Sequence, residues 1–315
     1  MTNNPPAIDI HELRVDYGDF IAVNDLTLAV PTGEVFGLVG PNGAGKTSTF
    51  RVIATLQTPT YGSVKLSGID IFEAPEEARR IMGYMPDLAP VPSDMKVWEF
   101  LDLSCESFIG GSASDRRARW SECLEMVQLA DRAQAMCKSL SRGQTQRLVL
   151  ARTLVHRPTV MILDEPASGM DPLSRRNLRL TLRTLASQGT TIFVSSHILS
   201  ELAEMCTSLC VMNRGMLLSS GTADEVRNHL GRSERKLSIG VLSRREEAAA
   251  WIGTQTNVSS VECQSERIYC SYSGSQDEQS DLLEGLFAQG FRLTVCEERK
   301  SSFEDILITV AEENK

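Results

Sequence analysis

A short apolar run that ends in a glycine-rich turn constrains the fold of this chain more than any other feature. The run EVFGLVG at residues 34–40 has the composition of a buried strand, and GPNGAGKT follows at residues 40–47. Gly40, Gly43 and Gly45 allow the backbone to curl so that successive N–H groups point at one anion, and TSTFRVIATL predicts a helix directly afterwards. Strand, glycine turn and helix in this order predict a loop that holds phosphate groups.

The same loop carries the side chains that a nucleoside triphosphate requires. The ammonium of Lys46 places a point charge on the β- and γ-phosphates, and the hydroxyl of Thr47 is a ligand for Mg²⁺. The sequence therefore predicts a site for ATP and Mg²⁺. The residues assigned to the nucleotide in this loop are Gly40, Pro41, Asn42, Gly43, Ala44, Gly45, Lys46, Thr47 and Ser48.

An acidic pair follows a second apolar run, VMILDEP at residues 160–166. Ligands of open α/β sheets bind at the carboxyl ends of strands, which is where this pair stands. We expect Asp164 to hold Mg²⁺ and Glu165 to orient and polarise the water that attacks the γ-phosphate, which makes Glu165 and Lys46 candidate catalytic residues. Taken alone, such a pair is also typical of a helix cap.

Predicted strands and helices alternate through most of the chain. The runs IDIHELRV and FIAVNDLTLAV have the alternation of strands, TVMILD and TIFVSS are buried strands, and residues 172–187 predict a helix. Residues 94–135 are predicted to be wholly helical. The pattern predicts an α/β fold with a mostly parallel sheet covered on both faces, an antiparallel β subdomain and a helical insert at about residues 92–137.

The polar segment NHLGRSERK at residues 228–236 predicts a domain boundary. The domains are then residues 1–230 and 231–315. In the second domain four strand-like and two helix-like runs follow the order β-α-β-β-α-β, which predicts a small α+β domain of the ferredoxin-like type. A last helix is predicted over FEDILITVAEE.

Charge and composition restrict the partners. The chain has 32 Lys and Arg against 41 Asp and Glu, a net charge of −9, which disfavours nucleic acid. No run approaches the ~18 apolar residues of a membrane-spanning helix, and the start MTNNPPAIDI lacks the regions of a secretory signal. We therefore expect a cytoplasmic protein whose membrane contact passes through a partner. The eight cysteines form no CxxC pair, which indicates buried reduced thiols.

Further motifs carry a resemblance to a known family. LSRGQTQR at residues 140–147 is similar to the LSGGQ signature of ABC transporter ATPases, ASGMDP at 167–172 resembles their D-loop, and SSH at 195–197 resembles their switch-histidine region. Tyr17 precedes the phosphate loop at the place where this family stacks an aromatic ring on adenine. The resemblance to an ABC transporter ATPase covers about residues 8–228.

The resemblance implies a dimeric mechanism. In this family two ATPase domains pair head to tail, and each ATP lies between the phosphate loop of one subunit and the signature of the other. By position, Ser141, Gly143 and Gln144 would face the ATP of a second subunit, which we expect to be an identical chain. His197 would contact the γ-phosphate as a catalytic residue, and Asp171 would connect the two sites. The other histidines, His11, His156 and His229, are interpreted as structural.

Two positions depart from the family pattern. YMPDLAP has Asp87 where the family presents the glutamine of its Q-loop. Aspartate is still a ligand for Mg²⁺, but it adds a negative charge beside the phosphates. Arg142 replaces the first signature glycine, so close backbone approach is retained at Gly143 alone.

The resemblance also implies partners. A separate transmembrane permease would receive the chain at the cytoplasmic face of the membrane, with segments such as MKVWEFLDL forming the groove for it; the alternative for that segment is a plain structural layer. One ATPase domain with a small C-terminal domain resembles the ATPases of exporters for amphiphilic compounds.

Two alternatives stay open, a non-transport ABC ATPase that acts as a nucleotide-gated scaffold and a catalytically silent subunit. Residues 231–315 hold 10 basic and 15 acidic side chains, which disfavours a nucleic-acid scaffold.

Overall fold

The computed structural model describes residues 5–230, 235–264 and 266–299. The described residues form two compact units that divide between Ala223 and Asp224. The predicted domain boundary after residue 230 stays a prediction, and the observed division lies somewhat earlier. Within these described ranges, no helix has the length and apolar character needed to cross a membrane.

The first unit contains two sheets. Its strands are β1 (Ile8–Tyr17), β2 (Phe20–Val30), β3 (Val35–Val39), β4 (Tyr61–Leu66), β5 (Ile69–Asp70), β6 (Met82–Met85), β7 (Val160–Leu163), β8 (Thr191–Ser196), β9 (Ser208–Asn213) and β10 (Met216–Gly221). Its helices are α1 (Lys46–Ile53), α2 (Pro75–Ile81), α3 (Val97–Phe108), α4 (Ala113–Met126), α5 (Arg142–Leu154), α6 (Pro172–Ser187) and α7 (Leu199–Met205), and α8 (Ala223–Leu230) follows at the division.

The larger sheet has the strand order β10-β9-β3-β8-β7-β6. All its pairs are parallel except that of β10 with β9. Every residue of β3, β7 and β8 is buried, as expected for parallel strands covered on both faces. The smaller sheet, β2-β1-β4-β5, is antiparallel. The predicted α/β fold with an antiparallel β subdomain is therefore confirmed.

The helical insert is less continuous than predicted. Helix α3 ends at Phe108 and α4 begins at Ala113, because Gly110 and Gly111 adopt positive φ angles of 61° and 83° that a helix does not accommodate. After α4 the chain makes only short 3₁₀ turns, at 130–132 and 137–139. The prediction of a wholly helical segment over residues 94–135 is wrong at these points, although both long helices are present.

The second unit forms a separate antiparallel sheet. Its elements are β11 (Arg235–Val241), α9 (Arg245–Ile252), β12 (Val258–Gln264), β13 (Arg267–Tyr272), α10 (Gln276–Ala288) and β14 (Leu293–Arg299). The strand order β12-β13-β11-β14 with antiparallel pairs throughout is the predicted ferredoxin-like arrangement. Leu237, Ile239 and Ile268 on the strands pack with Ile252 and Leu286 on the two helices. The helix predicted over FEDILITVAEE lies outside the described residues.

The sequence predicts buried cysteines and three structural histidines, and some of these residues are exposed instead. All eight cysteines are free, but Cys263 is exposed on the edge strand β12, so the expectation that the thiols are buried is wrong there. His156 is part-buried with Nε2 2.9 Å from the carbonyl oxygen of Met82, whereas His11 and His229 are exposed. Burial lowers the pKa of His156, which disfavours the charged form of its imidazole.

Candidate nucleotide-binding site

The glycine turn between β3 and α1 is held against two backbone segments. A Cβ atom on Gly40 would lie 2.2 Å from the carbonyl oxygen of Met212, and one on Gly45 would lie 2.3 Å from that of Ala22. Gly45 also has a φ of 104° and precedes α1 without any side-chain cap. The first backbone N–H groups of α1 therefore have no side chain to bind and are available for an anion.

Lys46 is the first residue of α1, and this residue is only 6% exposed. Its Nζ donates hydrogen bonds to the carbonyl oxygens of Gly40 at 2.6 Å and Pro41 at 3.2 Å. Burial lowers the pKa of Lys46, and the nearby carboxylates of Glu165 and Asp164 oppose this effect. The ammonium group is thus folded back onto its own loop, where it can turn to a phosphate.

The acidic pair stands at the end of β7 and is fixed by the neighbouring strand β8. Ser195 donates a hydrogen bond from Oγ to Asp164 Oδ1 at 2.6 Å, and the same Oγ accepts the backbone N–H of Glu165 at 3.0 Å. Asp164 is 1% exposed. Glu165 has a φ of 49°, a left-handed conformation that costs a non-glycine residue on the order of 1–3 kcal/mol. The fold holds this carboxylate in position at the expense of backbone strain.

Three predicted catalytic side chains meet at Glu165. Its Oε1 lies 3.7 Å from Lys46 Nζ, and its Oε2 lies 2.9 Å from His197 Nδ1. Lys46 and Glu165 are largely buried, whereas His197 is exposed at the end of β8. The arrangement places a cation, a carboxylate and an imidazole at one point beside the phosphate loop, which suits the transfer of a phosphoryl group to water.

These residues face a cleft of about 360 Å³. Its lining residues are Phe20, Ala22, Asn42, Gly43, Ala44, Gly45, Lys46, Thr47, Ser48, Asp87, Glu165, Ser168 and His197. We call this the Lys46 cleft. Sequence reasoning missed Phe20, an aromatic side chain that is 60% exposed, and Ser168. The hydroxyl of Tyr17 donates to Gln57 Oε1 at 2.6 Å and lies 3.4 Å from Ser48 Oγ, so Tyr17 stands next to the cleft.

The four residues predicted to serve or connect to a second subunit are absent from the lining of the Lys46 cleft as the described residues form it, and we call them the signature edge. They are Ser141, Gly143, Gln144 and Asp171. Ser141 caps α5, accepting the N–H of Gln144 at 3.3 Å, while Gln144 Oε1 accepts the N–H of Ser141 at 3.0 Å. Asp171 caps α6 by accepting the N–H of Ser174 at 3.0 Å and its hydroxyl proton at 2.6 Å. These hydrogen bonds with Ser174 lower the pKa of Asp171.

Arg142 contacts Ser168 and Gly169 of its own chain, in the segment that resembles a D-loop. Its Nη2 donates to Ser168 Oγ at 3.0 Å, and a Cβ atom on Gly169 would lie 2.4 Å from its Nε. Gly169 has a φ of 69°, so glycine is required there for conformation as well as for space. Arg142 therefore connects the start of α5 to a residue of the Lys46 cleft.

The ABC transporter family model matches residues 23–168, a range that includes Lys46 and the Asp164–Glu165 pair. The chain is 38% identical over 214 residues to Nod factor export ATP-binding protein I of Cupriavidus pinatubonensis, covering 68% of this chain and 66% of that protein. The protein of the same name from Burkholderia orbicola is 37% identical over 214 residues, covering 68% and 70%. The probable multidrug ABC transporter ATP-binding protein YbhF of Escherichia coli is 35% identical over 236 residues, covering 74% and 40%. The chain thus spans about two thirds of the first two relatives and less than half of YbhF.

Solved structures of ABC transporter ATP-binding subunits have a similar fold. An ATP-binding subunit of an ABC transporter superposes with a TM-score of 0.65 at 28% identity, covering 71% of this chain and 93% of that one. The dimeric structure of the bacterial ABC transporter cassette MJ0796 superposes with a TM-score of 0.64 at 25% identity, covering 69% and 98%.

Proposed function

The chain belongs to the family of ABC transporter ATP-binding proteins and is an ATPase, and we propose that it powers export through a separate membrane permease as half of a head-to-tail dimer. The proposal assigns the Lys46 cleft to the triphosphate of ATP and the signature edge to the ATP of a second, identical chain. In this arrangement the chain works at the cytoplasmic face of the membrane, where the permease holds it.

The separation of the two half-sites carries this proposal. Lys46, Glu165 and His197 converge on one cleft within one chain, while the predicted γ-phosphate donors of the signature edge do not line it in the described residues. A cassette of similar fold has a dimeric structure, which supports completion of the site by a second copy.

The residues of the cleft fit a magnesium ion. Thr47 and Asp87 line the cleft with oxygen atoms of the kind that bind Mg²⁺, and Asp164 directly follows β7. Asp87 Oδ1 is buried without a hydrogen-bond partner among the described residues, which suits a cation better than a neutral ligand. Thr47, Asp87 and Asp164 would hold Mg²⁺, which would supply positive charge to offset that of the phosphate groups. Glu165 would then hold and deprotonate the attacking water, with His197 fixing the position of its carboxylate.

Export is supported by the relatives' names, which describe Nod factor export and multidrug transport. The two alternatives find less support. A silent subunit is disfavoured because Lys46, Asp164, Glu165 and His197 are all present, and both Lys46 and His197 contact Glu165. A scaffold on nucleic acid is disfavoured by the acidic charge of the second unit.

Two assays test the proposal. We expect the purified chain to hydrolyse ATP, and membranes that contain its co-expressed permease to raise the rate, while Lys46→Ala abolishes both activities. The exporter assignment would be lost if nucleic acid or ribosomes stimulated hydrolysis and the permease did not. A wild-type chain without activity in either setting would instead favour the silent subunit.

A further inference from the structure

A buried glutamine connects helix α5 to the unusual acid of the Lys46 cleft. Asp87 lies in the irregular segment that follows β6, and its backbone carbonyl accepts a hydrogen bond from Gln146 Nε2 at 3.0 Å. Gln146 is 6% exposed and stands in the second turn of α5, the helix that Ser141 caps. An irregular loop has no neighbouring strand to bind its carbonyl groups. The side chain of Gln146 supplies the hydrogen bond to the Asp87 carbonyl instead.

Two acceptor atoms beside this contact have no partner. Asp87 Oδ1 and Gln146 Oε1 are both buried and unpaired within the described part of the chain. Both residues line a second cavity, of about 220 Å³, and Asp87 also lines the Lys46 cleft. A buried carboxylate oxygen is normally paired, so the unpaired Asp87 Oδ1 at the edge of the cleft favours a cation or a hydrogen-bond donor as its partner.

We propose that Gln146 is a positioning residue that holds the Asp87 carboxylate at the metal ion of its own chain. The inference rests on the metal role of Asp87 in the proposed function. A hydrogen bond to the Asp87 carbonyl fixes the backbone on which the Asp87 side chain is carried, and with it the direction of the carboxylate. Outer contacts of this kind orient metal ligands and tune metal affinity.

The contact also links two half-sites. Gln146 belongs to the helix whose first turn carries Ser141 and Gly143. When the signature edge engages the ATP of a second chain, any movement of α5 acts through Gln146 on Asp87. Asp87, the proposed ligand of the metal ion in the Lys46 cleft, thereby depends on α5, the helix whose N-terminus faces the ATP of the second chain.

A purely structural role for Gln146 makes a different prediction. If its amide only satisfies a buried loop carbonyl, replacing it lowers the stability of the fold and leaves metal affinity unchanged. If it positions Asp87, replacing it weakens metal binding while the nucleotide itself still binds in the absence of metal. Metal affinity measured without turnover separates the two roles.

The experiment titrates the full-length chain with Mn²⁺ in the presence of a non-hydrolysable ATP analogue and follows free Mn²⁺ by electron paramagnetic resonance. We expect Gln146→Leu to weaken Mn²⁺ binding about tenfold, as outer-shell substitutions do. Gln146→Glu preserves size but cannot donate the hydrogen bond when ionised, so it gives the same loss if the leucine variant fails to fold. Thr153→Val on α5 is the matched control, because its buried hydroxyl binds the Val149 carbonyl of its own helix.

The outcomes distinguish this inference from the proposed function. Asp87→Ala should weaken Mn²⁺ binding at least as much as Gln146→Leu, and combining the two should add nothing further. Wild-type Mn²⁺ affinity in a folded Gln146 variant would overturn the positioning role. No effect of Asp87→Ala would overturn it too, leaving the ATPase assignment intact. A wild-type chain that fails to bind the ATP analogue would overturn both the positioning role of Gln146 and the proposed function.

Discussion

The Lys46 cleft and the signature edge differ in where their polar groups find partners. In the cleft, groups from β7, β8 and α1 converge across long stretches of sequence, as in the contact of Ser195 with Asp164. At the signature edge, Ser141, Gln144 and Asp171 bond only to neighbours three residues away in the contacts described above. The cleft is assembled by the fold of one chain, whereas the edge is two capped helix ends that face solvent.

Helix capping leaves the signature edge chemically available. A serine hydroxyl has one donor and two acceptor positions, and the cap at α5 uses Ser141 as an acceptor. Its proton remains free for a phosphate oxygen. The N-terminus of α5 adds a favourable partial charge for an anion. One chain can therefore hold the edge ready without a ligand, and this contrast with the cleft is the reason that we propose a second copy.

Replacing Glu165 with glutamine should have the largest effect on the cleft side. We expect hydrolysis to fall about 100- to 10,000-fold, the usual contribution of a general base, while ATP still binds. Because the ATP persists, the variant should accumulate as a nucleotide-bound dimer, measured by size-exclusion chromatography with ATP and Mg²⁺. Elution as a monomer at all ATP concentrations would contradict the assignment of the signature edge to the ATP of a second chain.

Replacing His197 with alanine should have a smaller effect on the same side. His197 contacts Glu165 and is exposed, so its loss releases the carboxylate without unfolding the site. Misplacement of a catalytic group costs up to about 100-fold, and we expect kcat to fall by that order with little change in KM. His11→Ala, at an exposed histidine of β1, is the control and should leave both constants unchanged. An equal loss in both variants would remove His197 from the site.

A glycine pair tests whether Arg142, the residue next to Ser141 of the signature edge, contacts Gly169 of its own chain. Gly169→Ala should destabilise the fold by about 1–3 kcal/mol because its φ is 69° and its new Cβ meets Arg142. Gly189→Ala is the matched control, since its φ is 96° and nothing lies within 4 Å of its Cβ. The difference between the two in urea denaturation isolates the Arg142 contact. It should shrink when Arg142 is replaced by glycine, and a difference that persists would mean Arg142 is not in contact.

The smallest effect is expected from the cap at α6. Asp171→Ala should lower the unfolding free energy because α6 loses its cap, whereas Asp131→Ala, an exposed acid without a cap, should cost nothing measurable. The pKa of Asp171 is lowered in the folded chain, so the carboxylate stabilises the fold above the ordinary aspartate range and loses this effect as the pH falls through the lowered value. Thermal unfolding at pH 7 and at about pH 3 measures both points. If Asp171→Ala lowered the stability of the fold by the same amount at pH 3 as at pH 7, the role of the ionised cap would be contradicted.

The sequence predicted the features that arise from local spacing. The phosphate loop, the acidic pair and strands β7 and β8 stand where their patterns placed them. Helix α2 and strands β9 and β10 went unpredicted, because short elements are fixed mainly by the sheet and helices they pack on.

The site residues that were missed act over long distances in the sequence. Ser195 reaches Asp164 across 31 positions and Gln146 reaches Asp87 across 59, and no local pattern encodes either contact. Phe20 was missed because an isolated aromatic side chain on an edge strand has no distinguishing spacing. Such contacts depend on the register of neighbouring elements, which only the folded chain reveals.

Complementation between two defective chains tests the shared site most directly. Lys46→Ala disables the cleft and leaves the signature edge intact, while Ser141→Asp keeps the helix cap but repels the partner's phosphates. Each variant alone should be inactive, and an equal mixture should recover up to about a quarter of the wild-type ATPase rate, because half the dimers are mixed and each contains one intact site. A mixture that stays as inactive as its parents, or a Ser141→Asp variant with full activity, would contradict the claim that two chains build each site.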